Sequence, residues 1–160
     1  GYCLDLYLPQ TYTLKKQAAS LSLCKHGTKD LFKLKPDFIA ITESQEKSIV
    51  LDAKWKLLNR TFCSENDEEK FDKYGLSQSD FYQMFAYGHK YLPSYGQMFL
   101  IYPANENFER DTKLADFDFS SQQKDETKKL KLQVMACDWQ ANPQHAFPSW
   151  FSLFNKGDTK

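Results

Sequence analysis

Two apolar runs, each carrying a carboxylate, constrain this chain more than any other feature. They are Lys35-Pro36-Asp37-Phe38-Ile39-Ala40-Ile41 and Ile49-Val50-Leu51-Asp52-Ala53-Lys54-Trp55-Lys56, separated by the polar stretch Thr42-Glu43-Ser44-Gln45-Glu46-Lys47. Apolar runs of this length around a short polar break read as a β-hairpin. With the turn at Glu43 to Glu46, Thr42 pairs with Lys47, Ile41 with Ser48 and Ile39 with Val50, so that Asp37 falls opposite Asp52. Opposed residues of an antiparallel pair lie about 4.5–5.5 Å apart at Cβ, and like charges there repel. Two carboxylates so placed need neutralising, and a divalent cation with oxygen ligands suits them. Side chains alternate along a strand, so Lys54 projects from the same face as Asp52. Two acids and an amine meeting at one spot outline a metal-dependent hydrolysis site.

Both faces of the hairpin are apolar: Ile39, Ile41 and Val50 on one, Phe38, Ala40, Ile49 and Leu51 on the other. Strands of that kind are covered on both sides, which predicts an α/β layer arrangement. At 160 residues the chain has the size of one domain, spanning 1–160, with a packed interior drawn from its many aromatics. It opens on Gly1-Tyr2-Cys3 without Met, partway through an apolar-looking segment, and reads as the C-terminal part of a longer protein. No run approaches the roughly 18 apolar residues of a membrane helix and no signal-peptide pattern opens the chain, so a cytoplasmic setting is expected. Cys3, Cys24, Cys63 and Cys137 lack the spacing of a zinc or iron–sulfur site and read as free thiols.

The formal net charge is zero. A stand-alone nucleic-acid binder carries a basic excess, because phosphate neutralisation supplies most of its affinity. A neutral domain of this kind either grips DNA weakly or is brought to it by a partner. Locally the charges are uneven: Lys54, Lys56 and Arg60 follow the acid pair, and Glu65, Asp67, Glu68 and Glu69 read as a solvated acidic loop.

Along the chain, 17–24 and 30–34 predict a first strand or strand pair, and the hairpin strands follow near 37–42 and 48–56. Residues 59–76 read as loop. A helix then starts at Ser77 or Ser79, with Asp80 suiting its positive end. Phe81, Met84, Phe85, Gly88, Tyr91 and Leu92 form its buried stripe, and Pro93 and Gly96 stop it. Residues 97–102 and 129–137 predict two further strands, with 104–127 a polar connection between them. The aromatic end, Phe147 to Phe154, is expected to pack back as a short helix or turn. His26, His89 and His145 lack partners at ligand spacing, and His89 reads as a cation at the helix C-terminus. No Gly-rich phosphate loop is present, so the chain is not expected to hydrolyse nucleotide itself.

An Asp-x-Lys triple alone is common by chance. Pro36-Asp37 fifteen residues before Asp52, with both acids on apolar strands, makes the signal more specific. The helix adds Gln83 and Tyr87, four apart and therefore on one face. Gln83-Met84-Phe85-Ala86-Tyr87 resembles the Gln-x-x-x-Tyr motif of RecB-like nucleases. The longer strings Leu51-Asp52-Ala53-Lys54-Trp55-Lys56-Leu57-Leu58 and Ser77-Gln78-Ser79-Asp80-Phe81-Tyr82-Gln83-Met84-Phe85-Ala86-Tyr87-Gly88 resemble McrC, the nuclease subunit of the McrBC 5-methylcytosine-dependent restriction system.

The resemblance spans roughly residues 31–102. It implies an α/β restriction-endonuclease-like, PD-(D/E)xK core, a mixed central sheet flanked by helices, in a metal-dependent DNA endonuclease. Asp37 and Asp52, with the carbonyl of Ala53, then hold Mg²⁺ (Mn²⁺ substituting), whose chemistry is polarisation of the scissile phosphate and of water. Lys54 sits near the attacking water, with Gln83 and Tyr87 as the auxiliary pair. Replacing Lys54 by Ala is expected to abolish cleavage and leave folding intact. The acid often contributed by the preceding helix has no match here. The implied partners are DNA and an McrB-like AAA+ GTPase through which the protein assembles into oligomers. Two alternatives remain: a RecB- or Cas4-like repair or recombination nuclease, and a non-catalytic adaptor that stimulates the motor partner.

Overall fold

The computed structural model describes residues 4–5, 12–42, 48–58, 75–92, 96–114, 116–119, 130–149 and 151. The strands are β1 Tyr12–Lys16, β2 Leu21–His26, β3 Lys29–Leu34, β4 Phe38–Thr42, β5 Ser48–Ala53, β6 Gly96–Pro103, β7 Phe117–Asp118 and β8 Leu130–Cys137. A helix, α1 (Gln78–Tyr91), lies between β5 and β6. Six strands form one mixed sheet in the order β1-β4-β5-β6-β8-β7, and β2 and β3 pair separately.

The acid-bearing hairpin has the register its apolar pattern predicts: Phe38 pairs with Leu51, Ile39 with Val50, Ala40 with Ile49 and Ile41 with Ser48, antiparallel. The Thr42–Lys47 pair and the turn at Glu43 to Glu46 lie outside the described residues. Next, β5 pairs in parallel with β6, and β6 with β8. The parallel strands therefore bring their carboxyl ends, Ala53, Pro103 and Cys137, to one edge of the sheet. In open α/β sheets that edge is where ligands bind.

Alternation sorts the side chains into two cores. Ile39, Val50, Leu100, Leu132 and Val134 face α1 and pack with its Met84 and Tyr87. Ala40, Ile49, Leu51, Phe99, Ile101 and Met135 face the other way, beneath Leu4, Phe147 and Phe151. Both faces are thus covered, as the doubly apolar strands require. Leu4 and Asp5 are helical, and Asp5 forms an ion pair with Lys16 at 3.2 Å.

Helix α1 buries Asp80, Met84, Tyr87 and Gly88. Gly88 is required by close approach to the sheet. A Cβ there would lie 2.7 Å from Met98 Sδ and 2.9 Å from Leu130 Cδ1. Phe85, expected in the buried stripe, is 43% exposed. It is one position past Met84, about 100° round the helix, and meets the rings of His89 and Phe119 instead. Ser77 occupies the N-cap position in an extended conformation but makes no capping bond with its side chain, whose hydroxyl meets Ser79 Oγ at 2.5 Å.

Other boundaries differ from the sequence reading. β1 was not anticipated: its Thr13, Lys15 and Lys16 hide an edge strand behind a polar pattern. Strand β2 starts only at Leu21, because Gln17 adopts a left-handed φ of 49° while its N–H bonds Asp37 O at 2.8 Å. The second hairpin strand ends at Ala53 rather than residue 56, after a final rung from Lys54 N to Ile101 O at 2.8 Å. Short β7 lies within the expected polar connection. The closing segment forms a 3-10 turn earlier, at Pro143–His145, before the buried Phe147 and Phe151. Most of the expected loop 59–76, namely residues 59–74 with Arg60, Glu65, Asp67, Glu68 and Glu69, lies outside the described residues, as do Pro93, Cys3, Cys63 and residues 152–154. Cys24 is an exposed free thiol. Among the described residues no helix is long and apolar enough to cross a membrane.

Candidate active site

One step beyond the Phe38–Leu51 pair, the hairpin register sets Asp37 opposite Asp52 at the carboxyl edge of β5. The two acids are tied reciprocally. Asp37 Oδ2 accepts the backbone N–H of Ala53 at 2.9 Å, and the Asp52 carboxylate accepts the backbone N–H of Asp37. Asp52 is only 4% exposed. Lys54, two residues on and on the same face, places Nζ 2.6 Å from Asp52 Oδ2. Burial is the largest influence on Asp52 and pushes its pKa up. The bond and charge of Lys54 and the Asp37 N–H oppose this, the charge of Asp37 reinforces it, and the net shift is upward.

Helix α1 lays Gln83 and Tyr87 over this hairpin edge. Lys54 Nζ donates to Gln83 Oε1 at 2.5 Å, Gln83 Nε2 donates to Tyr87 OH at 2.7 Å, and Tyr87 OH donates to Lys35 O at 3.2 Å. One unbroken chain of polar contacts thus runs from Asp52 through Lys54, Gln83 and Tyr87 to the connection between β3 and β4 that leads into Asp37. Burial first, and then the negative field of Asp52, raise the pKa of Tyr87, so its hydroxyl keeps the proton it donates.

From the sequence alone Asp80 is a helix-start acid; in the fold it joins the polar cluster at the hairpin edge. It is buried, and its Oδ2 takes Lys56 Nζ at 2.5 Å and Tyr102 OH at 2.9 Å, while its Oδ1 lies 3.7 Å from Lys54 Nζ. Burial opposes its ionisation most strongly. The bonds from Lys56 and Tyr102 and the fields of Lys56 and Lys54 together outweigh burial and hold its pKa below the usual carboxylate range. Its position three residues before Gln83, on one helix face, was the available signal.

The donor set suits a hard cation. Mg²⁺ takes one or two carboxylates and completes its shell with water and substrate oxygens, and Asp37, Asp52 and the Ala53 carbonyl are oxygen donors at one strand end. A buried carboxylate pushed toward protonation beside a second acid is one that a divalent charge would return to its ionised form. Among the described residues no group of three or more His, Cys, Asp or Glu could hold a metal ion. A cavity of about 540 Å³ opens beside the pair, lined by Asp37 and Ala53 together with Gln17, Trp55 and Trp139.

The architecture is a mixed α/β domain whose hairpin carries two acids and a lysine to the sheet edge, under a helix that supplies an amide and a phenol. The chain belongs to the family described as McrBC 5-methylcytosine restriction system component, whose model matches residues 1–103. Its fold is similar to that of a chain in the refined half-complex from a tetradecameric assembly of Thermococcus gammatolerans McrB AAA+ hexamers with bound McrC. That likeness has a TM-score of 0.53 at 16% identity and covers 90% of this chain and 28% of that one. At this identity it is a likeness of fold. No curated protein matches.

Proposed function

We propose that this chain is the DNA-cleaving domain of an McrBC-type restriction system: a divalent-metal-dependent endonuclease with a PD-(D/E)xK core. The observation that carries this reading is the ammonium of Lys54 held between Asp52 and Gln83, with Asp37, just ahead of the paired strand, bonded to the N–H of Ala53. A bound Mg²⁺ or Mn²⁺ supplies Lewis acidity toward a phosphate oxygen and toward water. Asp37 and Asp52, with the carbonyl of Ala53, hold it. Lys54 donates to the phosphate oxygens and stabilises the negative charge that grows on them during in-line attack. Gln83 aims that ammonium, and Tyr87 fixes Gln83 against the Lys35 carbonyl. Substrate recognition and motive force come from an McrB-like AAA+ GTPase, in whose oligomer this domain is carried. A chain with no net charge fits such a division of labour, because the partner supplies the grip on DNA.

The test is cleavage of 5-methylcytosine-containing plasmid by the full-length protein with its partner GTPase, GTP and Mg²⁺. The wild type cuts, and Asp52→Asn and Lys54→Ala do not. Undiminished cutting by either variant removes the hairpin from catalysis. If the wild type stimulates GTP hydrolysis by the partner while cutting no DNA, the chain is an adaptor.

A further inference from the structure

Trp55 is 82% exposed and Trp139 is 41% exposed. Their rings stack on each other, with centroids 5.6 Å apart and planes inclined by 27°. A large ring left this open to water is more informative than any exposed leucine. Trp55 directly follows Lys54, and Trp139 lies two residues beyond the end of β8, so both sit at the edge where the parallel strands end. Both line the cavity of about 540 Å³ that also holds Asp37 and Ala53. Lys54 and Gln83 approach the acid pair from the α1 side, whereas this cavity is floored by Ile101 and Phe147 of the opposite core. Asp37 and Ala53 belong to both. A phosphate held at the acids therefore has the aromatic pair as its neighbour on the side away from the helix.

We infer that Trp55, backed by Trp139, is a stacking subsite for a nucleobase adjoining the phosphate at Asp37 and Asp52. The subsite presupposes the DNA-cleaving reading given above. Every base offers a π-face, so a tryptophan platform grips DNA without reading sequence. A base inside a duplex has no free face, so the occupant is a single-stranded or extruded nucleotide. The platform thus implies that the strand is locally opened where it is cut.

The experiment uses a short single-stranded oligonucleotide carrying one 2-aminopurine, and its counterpart with an abasic residue at that position, in Ca²⁺ buffer. Wild-type protein should quench the 2-aminopurine emission on binding. Trp55→Ala should bind roughly 5- to 150-fold more weakly without quenching, Trp139→Ala should show a smaller loss, and Trp55→Phe should retain most of both signals. The abasic oligonucleotide should bind the wild type as weakly as the intact one binds Trp55→Ala, with no further loss when the two changes are combined. Because Trp55 is so exposed, its variants should melt with the wild type, and Trp55→Phe decides the matter if Trp55→Ala does not fold. Equal binding by wild type and Trp55→Ala, or equal weakening on intact and abasic strands, overturns the subsite alone. So does unchanged DNA binding by Trp55→Ala with lost association to the partner GTPase, which makes the face a protein contact. A wild type that binds neither these oligonucleotides nor the corresponding duplex, alone or together with its partner GTPase, overturns the nuclease reading as well.

Discussion

The carboxamide oxygen of Gln83 holds the ammonium of Lys54 at 2.5 Å. An ammonium has three donors and no acceptor, so the amide must turn its oxygen to Lys54 and its nitrogen to Tyr87, which it meets at 2.7 Å. Gln83→Ala removes this guide while leaving both acids in place. Cleavage should fall about 10–100-fold, the usual effect of losing a group that orients the reacting ones, with the melting temperature little changed. Wild-type turnover by Gln83→Ala in the plasmid assay would show that Lys54 needs no such guide.

Lys54 itself is held more firmly than the sequence implies. Its side chain is 16% exposed and pairs with an almost buried Asp52. Lys54→Ala should lower cleavage by at least about 100-fold. It should also destabilise the fold at neutral pH by about 1–3 kcal/mol, because a buried acid loses its partner. The destabilisation should ease as the pH falls and Asp52, whose pKa is already raised, takes up a proton. Chemical denaturation across the pH range checks this, and a loss independent of pH would show that Asp52 is not the group left stranded.

Asp80 should behave in the opposite sense. Its folded pKa is depressed, so its contribution to stability is complete above the unfolded value of about 3.9 and disappears as the pH falls through the lower folded value. Asp80→Ala strands the buried hydroxyl of Tyr102 and should cost about 1–3 kcal/mol near neutrality. The gap to wild type should shrink steadily in melts taken below about pH 4. A gap as wide at pH 2 as at pH 6 would show that the charge of Asp80 contributes nothing.

At Gly88 the helix touches the sheet. Gly88→Ala gains helix propensity of about 1 kcal/mol but drives a Cβ into Met98 and Leu130, both fully packed. Overpacking of this kind costs about 1–3 kcal/mol, so a net loss of stability is expected, and a raised melting temperature would mean that Met98 swings clear.

The hairpin, α1, β6 and β8 were legible because each is set by a local signal: alternation, a helical stripe, or an apolar run ended by proline. The register of Ile39 with Val50 followed from loop length alone, and it carried Asp37 to Asp52. β1 was not legible, since an edge strand bearing Thr13, Lys15 and Lys16 shows no apolar face. Phe85 was misplaced because a stripe of three-and-four spacings runs wider than the face the sheet covers. Asp80 was missed for a different reason. Its partners Lys56 and Tyr102 lie more than twenty positions away, one just past the end of β5 and the other on β6, and only the folded sheet brings them together. Local patterns give elements, while a polar cluster drawn from three elements has no local pattern.

Everything in the proposed chemistry depends on Asp37 and Asp52 together binding a divalent cation. The most direct measurement is a thermal-shift titration with Mn²⁺ or Mg²⁺ on wild type, Asp37→Asn and Asp52→Asn. The wild type should gain roughly 5–10 °C at a hundredfold excess over Kd, and both variants should gain little or nothing. A wild type indifferent to either metal, or variants stabilised as much as the wild type, would contradict it.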